Sequence, residues 1–236
     1  KSTNISQQFL LKQQNKEQNK QEKEENILNE WKCDDISLSK KCSWSYITCS
    51  NININSNINS NQQEQENKEE KEEIIGINLS NLKLTGNIPS QICNLNQQLI
   101  SLSFSGNYLT GSIPSCFGCF SKLTLLDLSQ SSFSGNIPDS IGNLTNLKSL
   151  QLNSNYFSKS IPSSLWTISS LTHIDLSFNQ LTGNLPSSIM NENMKSLKSL
   201  ILNGNDLNPL FDENICLNTQ LEIFYLTQTN LHECFL

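Results

Sequence analysis

The chain of 236 residues carries a net charge of −6 at pH 7, and its length allows one sizeable domain with at most a small second one. Its lysines form no basic stripe, which argues against a nucleic-acid partner. No apolar run approaches the ~20 residues that cross a bilayer, so no membrane span is predicted. Thirteen of the 22 acidic and ten of the 16 basic side chains lie in the first 73 residues, which separates that part from the rest.

Two observations indicate the compartment. The chain contains eight cysteines, more than cytosolic proteins usually keep at ordered spacings without a metal. Three N-x-S/T sequons give glycosylation acceptors at Asn4, Asn78 and Asn143. We therefore expect a secreted or cell-surface glycoprotein.

The amino-terminal part divides into two segments. Residues 1–50 place apolar side chains such as Phe9, Leu28 and Trp31 among polar ones and close with KKCSWSYITC; the part before this ending is predicted to form one or two helices. Residues 51–73 read NININSNINSNQQEQENKEEKEE, a low-complexity sequence. Such a segment cannot bury enough apolar surface to offset the entropy of ordering, so it is predicted to be disordered.

A pattern of about 24 residues occupies the remainder and occurs seven times, with units starting at 74, 99, 123, 147, 171, 197 and 221. Apolar residues recur eight, five and three positions before one reference position, which we call the slot. The slot residues are Leu82, Asn107, Ser131, Asn155, Asn179, Asn205 and Thr229. Two apolar residues at alternate positions predict a strand with one buried face. Repetition at this period predicts stacked coils, because one unit cannot bury its apolar side alone.

The slot is predicted to have a structural role. A buried side-chain amide can donate to and accept from backbone groups that are left unpaired where each coil turns. Asn107, Asn155, Asn179 and Asn205 should therefore form a ladder, in which Ser131 and Thr229 supply a hydroxyl instead. An apolar residue follows six positions after the slot, and proline follows it in the first five units, where it favours a bend over a regular ladder.

These features resemble a known family. The segment 171–186 matches the unit L-x-x-L-x-L-x-x-N-x-L-x-G-x-I-P. The amino-terminal part contains Trp31 and then C-x-W-x-x-x-x-C, at Cys42, Trp44 and Cys49. Both features are similar to those of plant-type extracellular leucine-rich repeat proteins. The resemblance implies an α/β solenoid, a right-handed superhelix with a parallel β-sheet on its concave face. It also implies a helical cap over 1–50 closed by a Cys42–Cys49 disulfide, followed by seven repeats over 74–236.

The chain departs from the family pattern at identifiable places. Lys159 and Pro209 replace the glycine four positions after the slot, Asp212 replaces the proline, and the fifth unit is two residues longer. A solenoid without a carboxy-terminal cap exposes its core. Either Cys216 and Cys234 pair to close this end, or the chain continues beyond Leu236 into a longer protein that contains an anchor, and we expect the second.

The C-x-x-C of Cys116 and Cys119 is predicted to be structural. Zinc needs four ligands, and neither a second C-x-x-C nor a nearby histidine supplies them, so no metal site is expected. Both cysteines fall on the back of the second coil, near the position of Cys93 on the first. A disulfide from Cys93 to Cys116 or to Cys119 is therefore expected.

No catalytic site or cofactor is predicted. Asp127 and Asp175 lie two coils apart, and strands spaced ~4.8 Å would separate them by roughly 10 Å, too far for an acid and base pair. The better candidates are residues of the concave face that the fold does not require. These candidate ligand-binding residues are Asp127, Gln151, His173, Asp175, Phe178, Ile201 and Tyr225.

Three functional hypotheses follow. The first is a non-enzymatic extracellular module that binds a protein, peptide or glycan on its concave face; by resemblance it would be part of a receptor-like protein or a secreted inhibitor. The second is an ice-binding protein, based on the regular row of small polar residues two positions before the slot. The third is a structural or adhesive repeat, which self-association would reveal.

Overall fold

A computed structural model describes residues 47–52, 71–95, 98–185, 194–208 and 221–226. All of them belong to one compact unit, Ser37–Leu236. The predicted helical cap, the Cys42–Cys49 and Cys216–Cys234 disulfides and the Asn4 sequon depend on residues outside the described ranges. Within those ranges, no helix is long and apolar enough to cross a membrane.

The larger sheet, which we call the inner sheet, contains eight strands in the described residues. They are β1 (Ile47–Ile52), β2 (Lys71–Asn78), β4 (Ser101–Ser103), β6 (Leu125–Asp127), β8 (Ser149–Gln151), β10 (His173–Asp175), β12 (Ser199–Ile201) and β14 (Ile223–Tyr225), in this spatial order. From β2 onward the strands are parallel and each residue pairs with its equivalent in the next coil, as Leu102 does with Leu126. The predicted parallel sheet of stacked coils is thus confirmed.

Strand β1 covers the first edge of the inner sheet. It pairs antiparallel with β2, from Ile47 opposite Ile77 to Ile52 opposite Lys71. The ends of the segment expected to be disordered, 51–52 and 71–73, are therefore in strands. Their polar side chains did not indicate this, because backbone hydrogen bonds to the neighbouring strand form whatever the side chain. The proposed bounds of the cap and insert stay predictions.

A second sheet, which we call the lateral sheet, was not predicted. Its described strands are β3 (Thr85–Asn87), β5 (Tyr108–Gly111), β7 (Ser132–Gly135), β9 (Tyr156–Lys159), β11 (Gln180–Asn184) and β13 (Asp206–Asn208). Proline does not interrupt this ladder, because each strand ends before the proline of its unit. The pairing is shifted by two residues per coil, so that Thr85 lies opposite Tyr108 and Ser134 opposite Tyr156.

This difference in register implies that the repeat region is curved. In the unshifted inner strands, equivalent residues of consecutive coils lie ~4.8 Å apart. In the lateral sheet, the shift of two residues along the strand raises this distance to roughly 8 Å. The coils are closer at the inner sheet, which therefore lies on the concave side. The outward side chains of the inner sheet are called the concave face below.

Short 3₁₀-helices form the back of the coils. They are η1 (Ser90–Asn94), η2 (Ser115–Cys119), η3 (Asp139–Asn143) and η4 (Ser163–Thr167), and proline directly precedes each of them. Proline suits this position because it fixes φ and its missing N–H is not needed at a helix start. Neighbouring helices lie close together: a Cβ on Gly142 would be 2.9 Å from the carbonyl oxygen of Ser164 in the next coil.

The core is the stack of apolar side chains between the sheets and these helices. Leu102, Leu126 and Leu150 of consecutive coils are completely buried, and the rings of Phe133 and Phe157 stack at 6.2 Å. The disulfide joins Cys93 to Cys116, whose Cα atoms are 5.8 Å apart, and Cys119 is an exposed free thiol. Of the two predicted pairings, the structure contains the first.

The asparagine ladder is present in the structure. Asn179 accepts from the Phe157 amide at 3.0 Å and donates to the Leu152 and Leu176 carbonyls at 3.0 and 3.1 Å. The other three slot asparagines make the same kind of bonds across adjacent coils. The expectation for Ser131 was wrong: its buried hydroxyl has no partner, because serine is too short to reach both turns.

Candidate ligand-binding surface

The inner sheet brings five of the predicted site residues into one row. The row lies four positions before the slot, and its members pair directly with one another across neighbouring strands. It runs Asn78, Ser103, Asp127, Gln151, Asp175, Ile201 and Tyr225. Because neighbouring parallel strands lie ~4.8 Å apart, the part from Asp127 to Tyr225 is roughly 19 Å long.

Two aspartates in this row are held by the same local motif. Asp127 Oδ1 accepts hydrogen bonds from the Ser129 amide at 3.0 Å and the Ser129 hydroxyl at 2.7 Å. Asp175 Oδ1 accepts from the Ser177 amide at 3.0 Å and the Ser177 hydroxyl at 2.6 Å. The repeat pattern predicts no structural role for these aspartates, whereas the structure gives each a turn-stabilising one. The same bonds fix the carboxylates in place on the concave face.

The two ends of the row differ in polarity. Gln151 lies half-buried between the two carboxylates, and its amide contacts the Ser149 hydroxyl at 3.4 Å. At the other end Ile201 is half-buried, and Tyr225 is 60% exposed. Ile223, on the same strand as Tyr225, is also exposed. One end therefore presents fixed negative charge and the other presents apolar surface.

The two remaining predicted site residues lie beside this row. His173 is exposed two positions before Asp175, and its Nδ1 lies 2.8 Å from the Thr172 hydroxyl. Phe178 is 61% exposed at the turn that follows β10, and its φ of 53° is in the left-handed region. The equivalent position of the next coil is Gly204, where a Cβ would lie 2.8 Å from the Phe178 ring. Glycine there allows the ring to lie against the backbone of the next turn.

From β4 to β14 the charge on this face has one sign. Among the outward positions of these strands, the charged residues are Asp127 and Asp175. Lys198, which precedes β12, forms an ion pair with Glu222 at 3.0 Å. A ligand group that binds beside Gln151 should therefore be cationic or a hydrogen-bond donor.

The row two positions before the slot does not form an even array of free hydroxyls. Ser129 and Ser177 are buried, and both donate to aspartates. Ser80 and Ser105 hydrogen-bond to each other at 3.0 Å. The regular exposed row on which the ice-binding hypothesis depended is thus partly buried and internally bonded.

The two aspartates of the row are not adjacent. Gln151 separates the two aspartates in register, and no cluster of three or more His, Cys, Asp or Glu side chains in the described ranges could hold a metal ion. The sequons at Asn78 and Asn143 are exposed, the first on the concave face and the second at the end of η3.

The exposed tyrosines of the lateral sheet were not predicted from the sequence. Tyr108 and Tyr156 both follow the slot directly and are 62% and 55% exposed. The reason is that the proline of each unit favours a bend, so the repeat pattern predicts no strand directly after the slot. The available signal in the sequence was a single apolar residue between two less apolar ones, as Leu109 lies between Tyr108 and Thr110 and Phe133 lies between Ser132 and Ser134.

Comparisons with known proteins agree with this architecture. The Leucine Rich Repeat family matches residues 98–120, 122–144, 146–168 and 170–191. The BIR3–SERK2 complex from Arabidopsis thaliana contains a chain that is 31% identical with a TM-score of 0.58, and the match covers 77% of this chain and 85% of that one. The chain belongs to the plant-type leucine-rich repeat family.

Larger relatives match over a smaller share of their length. The Arabidopsis receptor kinase HAESA, solved with the peptide hormone IDA and the co-receptor SERK1, is 36% identical with a TM-score of 0.58; the match covers 61% of this chain and 24% of HAESA. The LRR receptor-like serine/threonine-protein kinase GSO2 of Arabidopsis thaliana is 34% identical over 100 residues, 42% of this chain and 6% of GSO2. The leucine-rich repeat chain thus spans a small part of these receptors.

Proposed function

We propose that this leucine-rich repeat chain is a non-catalytic recognition module of a receptor-like protein, located outside the cell, that binds a peptide or protein segment on its concave face. The observation that carries the proposal is the continuous row from Asp127 to Tyr225, which combines fixed carboxylates with exposed apolar side chains. The complex of HAESA with a peptide hormone and a co-receptor supports a ligand of this class.

The geometry of the row favours an extended ligand. A segment that crosses the strands from β6 to β14 would place a lysine or arginine beside Asp127 and Asp175 and an apolar side chain beside Ile201 and Tyr225. The aspartates are already positioned by Ser129 and Ser177, so little side-chain entropy is lost when a cation binds. Phe178 and His173 extend the contact surface beside Asp175.

The experiment compares peptide binding by matched variants. Peptides are selected from a random displayed library on the wild-type chain, and their affinities are measured by calorimetry. We expect selected peptides to contain a basic and an apolar residue. Asp127→Asn with Asp175→Asn should weaken them about tenfold or more, because this change removes charge while the amide oxygen can still accept from serine.

Two further variants complete the design. Tyr225→Ala should weaken binding by a similar factor, since exposed aromatics often dominate interface energies. Asp139→Asn removes one charge from an exposed position in η3 and should leave affinity unchanged. Equal affinities for the wild-type chain, the double aspartate variant and Tyr225→Ala would refute the concave site.

A further inference from the structure

We infer that the outward face of the lateral sheet is a second binding surface, and that its ligand is an uncharged oligosaccharide. This inference is independent of the peptide site, because the face consists of different strands and different residues. Parallel sheets are usually covered on both faces, whereas the outward residues of this sheet are exposed in the described coils, apart from the half-buried Ser132 and Ser158.

Two rows of outward residues form this surface. The row directly after the slot is Lys83, Tyr108, Ser132, Tyr156, Gln180 and Asp206; the row three positions after the slot is Thr85, Thr110, Ser134, Ser158, Thr182 and Asn208. The two-residue shift brings the rows together, so Tyr108 is the neighbour of Thr85 and Tyr156 is the neighbour of Ser134. Each tyrosine ring therefore has a hydroxyl beside it.

The tyrosines have no role in the core. Tyr108 and Tyr156 are 62% and 55% exposed, whereas the next residue along each strand, Leu109 or Phe157, is completely buried. The corresponding residues in coils three and five, Ser132 and Gln180, are small or polar, so the fold does not require an aromatic there. At roughly 8 Å per coil the two rings lie roughly 16 Å apart, a distance of a few sugar residues.

The charge of the surface selects the class of ligand. Both rows carry charge only at their ends, at Lys83 and Asp206. About a quarter of the residues of an ordinary protein are charged. The charges of a protein ligand would lose their hydration on this surface without finding charged partners. The hydroxyls of a neutral sugar can instead exchange hydrogen bonds with Thr85, Ser134 and Gln180, and can donate to the Thr110 hydroxyl, which itself donates to Asn87 at 2.7 Å.

The aromatic rings fit the same ligand. The face of a tyrosine ring carries partial negative charge, which attracts the C–H groups on the flat face of a hexose or pentose ring. Projecting rings also interrupt the flat lattice that an ice surface would need. An oligosaccharide that spans both tyrosines would stack on two rings and bond to the hydroxyl rows between them.

The test uses the full chain with cellohexaose and xylohexaose as neutral probes and hexagalacturonate as the anionic counterpart. Binding is measured by calorimetry and by tyrosine fluorescence at low and high salt. We expect at least one neutral probe to bind with little dependence on salt. Tyr108→Ala with Tyr156→Ala should weaken it about tenfold or more, while Tyr108→Phe with Tyr156→Phe keeps most of the affinity.

Matched controls separate this surface from others. Tyr225→Ala removes an exposed tyrosine from the concave face, and Lys159→Gln removes the exposed lysine at the end of β9, which belongs to neither row; neither should change binding of the neutral probe. The inference is overturned if neither neutral probe binds, or if only hexagalacturonate binds and Lys159→Gln abolishes it. Thermal hysteresis or self-association that is lost in the double alanine variant would equally overturn it.

Discussion

At the scale of single residues, the slot shows how one side chain connects consecutive coils. The Leu152 carbonyl accepts from Asn155 at 3.1 Å and from Asn179 at 3.0 Å, so each amide joins its own turn to the preceding one. This role could be predicted, because asparagine offers a donor and an acceptor at the same recurring position. The series is interrupted at Ser131, whose buried hydroxyl makes no hydrogen bond.

Replacing Ser131 with asparagine should stabilise the chain. By analogy with the other coils, the new amide would accept from the Leu109 N–H and donate to the Phe104 and Leu128 carbonyls. We expect a gain of about 1 kcal/mol after the side chain is ordered, equivalent to a rise in Tm of roughly 2–4 °C. Thermal and urea unfolding measure the difference.

The control for this prediction is Ser134→Asn, the same change at an exposed position of the third coil. It should leave Tm unchanged. A Ser131→Asn variant that is no more stable than wild type would mean that the third coil cannot accommodate the amide.

The backbone conformation at a second recurring position, four residues after the slot, could be inferred from the sequence only in part. Lys159 replaces the glycine four positions after the slot, and its φ of 66° is in the same left-handed region as Gly135, at 81°. The sequence marked Lys159 as a departure from the pattern. The sequence could not indicate whether the turn at Lys159 changes its conformation or the lysine adopts the left-handed conformation of glycine. The backbone conformation there depends on packing against the neighbouring coils.

At the scale of elements, the inner sheet was predictable and the lateral sheet was not. The inner strands follow a pattern of leucines that repeats in every unit. The lateral strands are three to five residues long and contain serine and glycine, which have low strand propensity. Their hydrogen bonds come from the adjacent coils, so local sequence gives little signal for them.

Glycine determines how closely the 3₁₀-helices at the back approach one another. Gly142→Ala would place a Cβ 2.5 Å from the Ser164 Cβ and 2.9 Å from its carbonyl oxygen, so the neighbouring backbone must move. We expect a loss of about 1–3 kcal/mol, as for other overpacked sites, measured by urea unfolding. Ser140→Ala is the control in the same helix: it removes a buried hydroxyl that has no partner and should not destabilise. Equal stabilities of the two variants would contradict the close approach.

At the scale of the whole molecule, the sequence determined the stack of coils but left its ligands open. A strict pattern is enforced only at buried positions, where each coil must fit its neighbours. Tyr225, Phe178, Tyr108 and Tyr156 are exposed, so packing places no demand on them, and function has to be argued from their chemistry. The row of concave residues could be predicted from the repeat, whereas the surface formed by the lateral sheet required the structure.

Because each coil contacts mainly its neighbours, the Cys93–Cys116 disulfide should act locally. It joins the first two coils across a sequence separation of 23 residues, for which the chain-entropy model gives about 3 kcal/mol. Cys93→Ser with Cys116→Ser should therefore increase amide hydrogen exchange in β2 to β5, with progressively smaller changes beyond β6. Cys119→Ser, which leaves the disulfide intact, should exchange like wild type. An equal loss of protection from β4 to β12 would instead mean that the coils unfold as a single cooperative unit, because stabilisation at one end would then be shared by all of them.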